Sequence, residues 1–182
     1  MYTSFKTDTN MRTEILAASN FLTQFLGTYY PVPLCSRKLR HFRNSLMNLC
    51  HLKFANHWDV EQPYKGSVYR HIRIERRLDP LIVKAANVCG LKLNWVNASY
   101  PAHVVVWIDP NCVRYRIGSE GSFQSLYDAE KKETHQAWLH KDWNLSASLS
   151  TENLNNQFED CSLDVFRQMP LKYMYQYRFR EL

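Results

Sequence analysis

A mostly apolar run, HVVVWI, and an alternating one, VRYRI, are separated only by Asp109-Pro110-Asn111-Cys112, and that arrangement leaves the chain little choice. Each run has the length of a strand and is too short for a core helix. Proline presets one backbone angle and asparagine tolerates a left-handed one, so the link is a tight reversal. Strands joined this closely pair antiparallel. Residues 103–108 and 112–117 are therefore expected as a hairpin, with a third strand at 122–127 beyond the turn from Gly118 to Gly121.

Alternation along the first strand sends Val104, Val106 and Ile108 one way and His103, Val105, Trp107 and Asp109 the other. The first set is uniformly apolar and should face helices. The second has polar ends and should be at least partly wet, which puts Trp107 on the outer face of the sheet with Asp109 beside it. An exposed aromatic next to a charge has the makings of a binding hot spot. The plainer alternative is that the tail or a loop covers Trp107, since most tryptophans are substantially buried.

Upstream of the hairpin the pattern is mainly helical. Ile15, Ala18, Leu22 and Phe25 fall at helical spacing, widened by Leu16 and Leu26, with Thr9 or Asn10 as cap and Gly27 and Pro31 as stops. A second helix starts after Ser36 on the stripe Leu39, Phe42, Leu46, Leu49 and Cys50, making a helical hairpin. SVYRHIRI, residues 67–74, alternates and is expected as a strand. Val68, Ile72 and Ile74 share one face, with Arg70 as the exception, and Tyr69, His71 and Arg73 share the other. Asp79-Pro80 opens a third helix on Leu81, Ile82, Ala85, Val88 and Cys89, and Gly90 closes it; a loop runs through Tyr100-Pro101. Helices first and strands later imply an α+β fold, with helices packed on one face of a small, mainly antiparallel sheet.

Composition narrows the function. The chain is 45% hydrophobic, enough for a sizeable core, and no apolar window is long enough to span a membrane. MYTSFKTDTNMR at the N-terminus lacks a signal-peptide core, so the cytoplasm or nucleus is the expected location. Five cysteines without a CxxC are expected as free thiols. The histidines lack metal spacing. No nucleophile elbow, phosphate-cradling glycine loop or His-Glu-x-x-His helix occurs, so no catalysis, metal or cofactor is expected. Ten Lys or Arg against three acids lie between Arg37 and Arg77 in a chain of net charge +6. Such a segment attracts nucleic acid or an acidic protein surface, or is simply a solvated helix face. Direct RNA binding through Arg70, Arg73, Arg76 and Arg77, with Tyr69 for stacking, is the main rival to protein binding.

Two stretches resemble the signature boxes of the BTG/Tob family of antiproliferative adaptors. NHWDVEQPYKGSVYRHIRI, residues 56–74, is similar to the first box, and VWIDPNCVRYRIGSEGS, residues 106–122, to the second. EILAASNFLTQFL and RLDPLIVKAANVCGL look like helices of the same family. The ending Ile-Gly-x-x-Gly-Ser is closest to the short-tailed BTG branch. The sequence departs from the family pattern at Asn56, Asp59, Val68, His71, Asn111 and Cys112.

The resemblance implies a compact BTG-type domain over residues 11–128, after a short extension at 1–10 and before a divergent tail at 129–182. In that tail YMYQYRFREL is either an extra strand or a sticky disordered end. It further implies a monomeric, non-enzymatic adaptor for the Caf/Pop-type catalytic deadenylase subunit of the Ccr–Not complex. Such an adaptor promotes poly(A) shortening and restrains proliferation, with RNA engaged indirectly. Nuclear transcription partners are a further implication. Carried over residue by residue, the partner contacts are Tyr69, Trp107 and Asp109, with Lys65 and Pro110 beside them. Lys65 and Gly66 shape the first box, and His57 and Trp58 are structural.

Overall fold

The computed structural model describes residues 11–131. Helices α1 (Met11–Tyr29) and α2 (Ser36–Phe54) form the hairpin; α3 (Pro80–Val88) and α4 (Leu93–Ser99) follow β1 (His71–Ile74). The remaining strands are β2 (Val104–Asp109), β3 (Cys112–Ile117) and β4 (Gln124–Asp128). They form one antiparallel meander in the order β1-β2-β3-β4. The α+β class expected from the sequence is the observed one.

α1 is apolar on most of its circumference because it is enclosed on most sides. Ile15, Ala17, Ala18, Phe21, Leu22, Phe25 and Leu26 are all buried. Phe21 meets Tyr115 of β3 with ring centroids 4.6 Å apart, and the Tyr100 hydroxyl donates to Leu22 O at 3.0 Å. Gly27 does not end the helix, which runs on to Tyr29. A helical glycine costs about 1 kcal/mol against alanine. Here that cost is outweighed by burial of Phe25 and Leu26 and by the bond from Tyr30 N to Leu26 O.

α2 buries Leu39, Phe42, Leu46, Cys50 and Phe54. Leu16 and Leu49, expected in the stripes, are only half-buried, and Val88 is exposed. The thiol of Cys50 has no solvent access, and burial pushes its pKa well up. α3 starts as the sequence indicates. Asp79 Oδ1 accepts from Leu81 N at 2.8 Å, while Oδ2 accepts from Arg73 N at 3.2 Å, so one side chain caps the helix and fastens it to β1. Gly90, at φ +63°, follows in the left-handed region that closes the helix.

α4 has no clear signal in the sequence. It is seven residues long, its N-cap Lys92 makes no side-chain cap bond, and two asparagines weaken its propensity. Tertiary contacts supply what propensity does not. Val96 is fully buried, Lys92 N donates to the Tyr30 hydroxyl at 3.1 Å, and Lys92 Nζ lies 4.4 Å from the Trp95 ring centroid.

β1 corrects the sequence reading. It begins at His71, not Ser67; residues Ser67–Tyr69 form a 3-10 turn entered through Gly66 at φ +78°. Val68 is therefore solvent-facing, with 76% of its surface exposed. Arg70 leaves the turn at φ −104°, ψ 24°, outside the extended region, so strand alternation does not reach it. In β2 the inward set is as expected: Val104, Val106 and Ile108 are fully buried.

The outward set is drier than alternation suggests. Val105 and Asp109 are buried and Trp107 half-buried. The β2–β3 link places Asn111 at φ +64°, and its N–H donates to Glu14 Oε1 of α1 at 2.9 Å. Burial raises the Glu14 pKa, against the bond from Asn111, and Glu14 Oε2 lacks a hydrogen-bond partner. The expected N-terminal extension, nearly all of the tail and its YMYQYRFREL segment lie outside the described residues.

Candidate functional site

The segment between α2 and β1 is held by side chains more than by regular structure. Asp59 Oδ1 accepts from Glu61 N at 3.1 Å and Gln62 N at 3.0 Å, an Asx turn. Its other oxygen lies 3.4 Å from Lys65 Nζ. The bond from Gln62, followed by that from Lys65, keeps the Asp59 carboxyl below its ordinary pKa. Gly66 follows with positive φ. A Cβ there would sit 3.2 Å from both Arg70 Nη1 and His57 O. The Lys65 carbonyl accepts from Arg70 Nη1 at 2.8 Å, while its ammonium remains largely exposed. Lys65 and Gly66 thus shape this loop through their backbones.

Tyr69 stands at the end of the 3-10 turn, 55% exposed, with its ring stacked on His57. Trp58 is half-buried, and the Arg70 guanidinium carbon lies 5.6 Å from its ring centroid. Val60, Tyr64 and Val68 are also exposed, so one short segment leaves four large apolar or aromatic side chains in water. Apolar surface gathered this way marks interaction sites.

Trp107 lies next in space. In the ladder it pairs with His71 on β1 and Arg114 on β3. Phe123, from the β3–β4 connection, meets it edge-on at 4.9 Å and is itself 55% exposed. Arg116 sits 5.4 Å from the Phe123 ring centroid. Both sequence readings of Trp107 are partly realised: a loop residue covers part of the indole, and part remains open. Phe123 was not foreseen. Its only signal is a lone aromatic just after a Gly-Ser turn.

Two expected contact residues differ from expectation in exposure. Asp109 is 2% exposed, not wet: the loop of residues 57–66 and Arg70 cover the end of β2, and Arg70 Nη2 donates to Asp109 Oδ1 at 2.7 Å. Pro110 is buried within the turn. Arg70 itself is fully buried, so it cannot reach a phosphate. Arg73, Arg76 and Arg77 are all exposed, and Arg73 is engaged with Glu75 at 2.6 Å. Among the described residues, no three His, Cys, Asp or Glu side chains are grouped to hold a metal. No helix among them is long and apolar enough to cross a membrane.

The BTG family model matches residues 11–127. The chain is 40% identical over 129 residues to protein BTG1 of Gallus gallus, covering 71% of this chain and 75% of that one. It is 41% identical over 116 residues to protein BTG1 of Homo sapiens, covering 64% and 67%. With protein Tob1 of Mus musculus it shares 37% identity over 124 residues, 68% of this chain and 33% of that one. Among solved structures, the BTG/Tob domain of C. elegans FOG-3 superposes with a TM-score of 0.54 at 23% identity, covering 69% of this chain and 89% of that one. At that identity the likeness concerns the fold.

Proposed function

The chain belongs to the BTG family, and on that premise we propose that it is a non-catalytic adaptor. Its partner in this reading is the Caf/Pop-type deadenylase subunit of the Ccr–Not complex, and the outcome is poly(A) shortening that restrains proliferation. The adaptor acts as a monomer in the cytoplasm and also enters the nucleus. Messenger RNA is engaged through the partner.

One observation supports this reading above the others. Tyr69 and Trp107, drawn from separate sequence boxes, stand on adjoining elements. Only Arg70 separates Tyr69 from β1, and the first residue of β1, His71, pairs with Trp107. Both side chains present a stiff ring with a polar tip, a combination suited to binding at low entropic cost. Direct RNA binding loses one of its four arginines, because Arg70 is enclosed.

The test is binding of the purified chain to the purified deadenylase subunit, by calorimetry. Wild type should bind. Trp107→Ala and Tyr69→Ala should each weaken binding about 30-fold or more, the loss typical of an aromatic anchor at about 2 kcal/mol, with circular dichroism unchanged. A wild-type chain that does not bind the subunit overturns the proposal.

A further inference from the structure

The Arg70 guanidinium has five N–H groups, and each has a separate acceptor. Nε donates to Ile108 O at 3.1 Å. Nη1 donates to Lys65 O at 2.8 Å and to His57 O. Nη2 donates to Asp109 Oδ1 at 2.7 Å and to Pro63 O. Three of the five acceptors are carbonyls of the loop between α2 and the 3-10 turn. Their sequence separations from Arg70 are 5, 7 and 13 residues, so one side chain gathers the whole loop. The other two belong to the end of β2. The backbone completes the junction, with Ile108 N donating to Arg70 O at 3.1 Å.

A guanidinium with no solvent access needs a counter-ion, because an uncompensated buried charge is strongly destabilising. Asp109 is the anion in contact with it. The Asp109 side chain is itself 3% exposed. Its Oδ2 is closed off from solvent without a hydrogen bond, with Arg114 Nη2 at 4.0 Å. Nothing of this carboxylate is offered at the surface for a partner's cation.

We propose that Asp109 serves the docking surface from beneath: as counter-ion it holds Arg70, and Arg70 holds the loop that carries His57 and leads to Tyr69. Asp109 and Arg70 are positioning residues and do not touch the partner. The part of this inference that concerns partner binding rests on the adaptor reading; the part that concerns the loop does not.

Amide hydrogen exchange on the free chain separates the two roles. Three proteins are compared: wild type, Asp109→Asn and Arg70→Lys. Lysine keeps the positive charge but brings three donors in place of five and has no planar fork. If the inference holds, both variants exchange at least tenfold faster in residues 57–69, while α1 and Val104–Val106 keep wild-type protection. A residue that only contacts a partner would leave exchange in the free chain unchanged, and that result overturns the inference. Acceleration spread evenly over residues 11–131 overturns it too, since the pair would then support the whole fold and not the loop.

The same proteins are titrated against the deadenylase subunit. Arg70→Lys leaves the Asp109 carboxylate in place, so it should weaken binding as Asp109→Asn does. Retained affinity in Arg70→Lys with lost affinity in Asp109→Asn restores direct contact and overturns the inference. If the loop loosens as expected but wild type itself fails to bind the subunit, the positioning role stands and the adaptor reading falls.

Discussion

His57 and Tyr69 stack almost face to face, with ring centroids 4.2 Å apart and planes inclined by 13°. The imidazole backs a phenol ring that would otherwise swing freely on an exposed turn. An aromatic pair of this kind contributes about 0.5–1.5 kcal/mol. His57→Ala should therefore lower affinity for the deadenylase subunit about 2- to 10-fold, less than Tyr69→Ala, while His57→Phe restores it. The His57 carbonyl still reaches Arg70 in both variants, so the loop keeps its anchor. Calorimetric titration of the three variants checks the order.

Gly66→Ala should destabilise the protein. A left-handed backbone costs a non-glycine residue about 1–2 kcal/mol. The added Cβ would also crowd Arg70 Nη1 and His57 O, both fixed by their own bond. Guanidinium denaturation should show a lower midpoint with an unchanged slope.

Asp79→Ala removes two bonds at once, the cap on Leu81 N and the link to Arg73 N. Loss of a cap costs about 0.5–2 kcal/mol, and the second bond adds to it. Asp79→Asn keeps an acceptor for the cap and should recover part of the loss. Thermal unfolding of the two variants side by side measures the recovery.

Glu14 gives the stability a definite pH dependence. Burial raises its carboxyl pKa above the ordinary 4.5. Between the unfolded and folded values, the native state keeps a proton that the unfolded state has lost. Stability therefore falls as pH rises through that window, and the full deficit is present above the folded value. Glutamine carries no charge and can still accept from Asn111 N. Glu14→Gln should be more stable than wild type at neutral pH, and the difference should close below pH 4.5. Urea denaturation at several pH values reads the trend; a gap that widens on acidification would contradict it.

Elements built on periodicity were legible in the sequence. The inward valines of β2, the Asp79-Pro80 helix start and the short links of the meander each depend on residue types whose effect is local. α4 was not legible, because Val96 and the Tyr30–Lys92 bond stabilise it from across the fold. At the site, Tyr69 was correctly read as outward, yet the strand assigned to it is a turn, since Gly66 interrupts extension three residues earlier. Asp109 shows the limit most clearly. Alternation places its side chain on the outer face of the sheet, but says nothing of a loop that folds over that face. Arg70 stood out only as a charge on an apolar face. Its partner lies 39 residues away, a pairing that no local pattern encodes.

Cys50, sealed among the helices, makes the chain a reporter of its own unfolding. A maleimide cannot reach a sulfur with no solvent access, nor find much thiolate on a thiol held so firmly protonated. Cys35, exposed at the start of α2, is labelled without any such opening. The lag between the two modifications, followed by mass in native buffer, counts how often the helical layer parts.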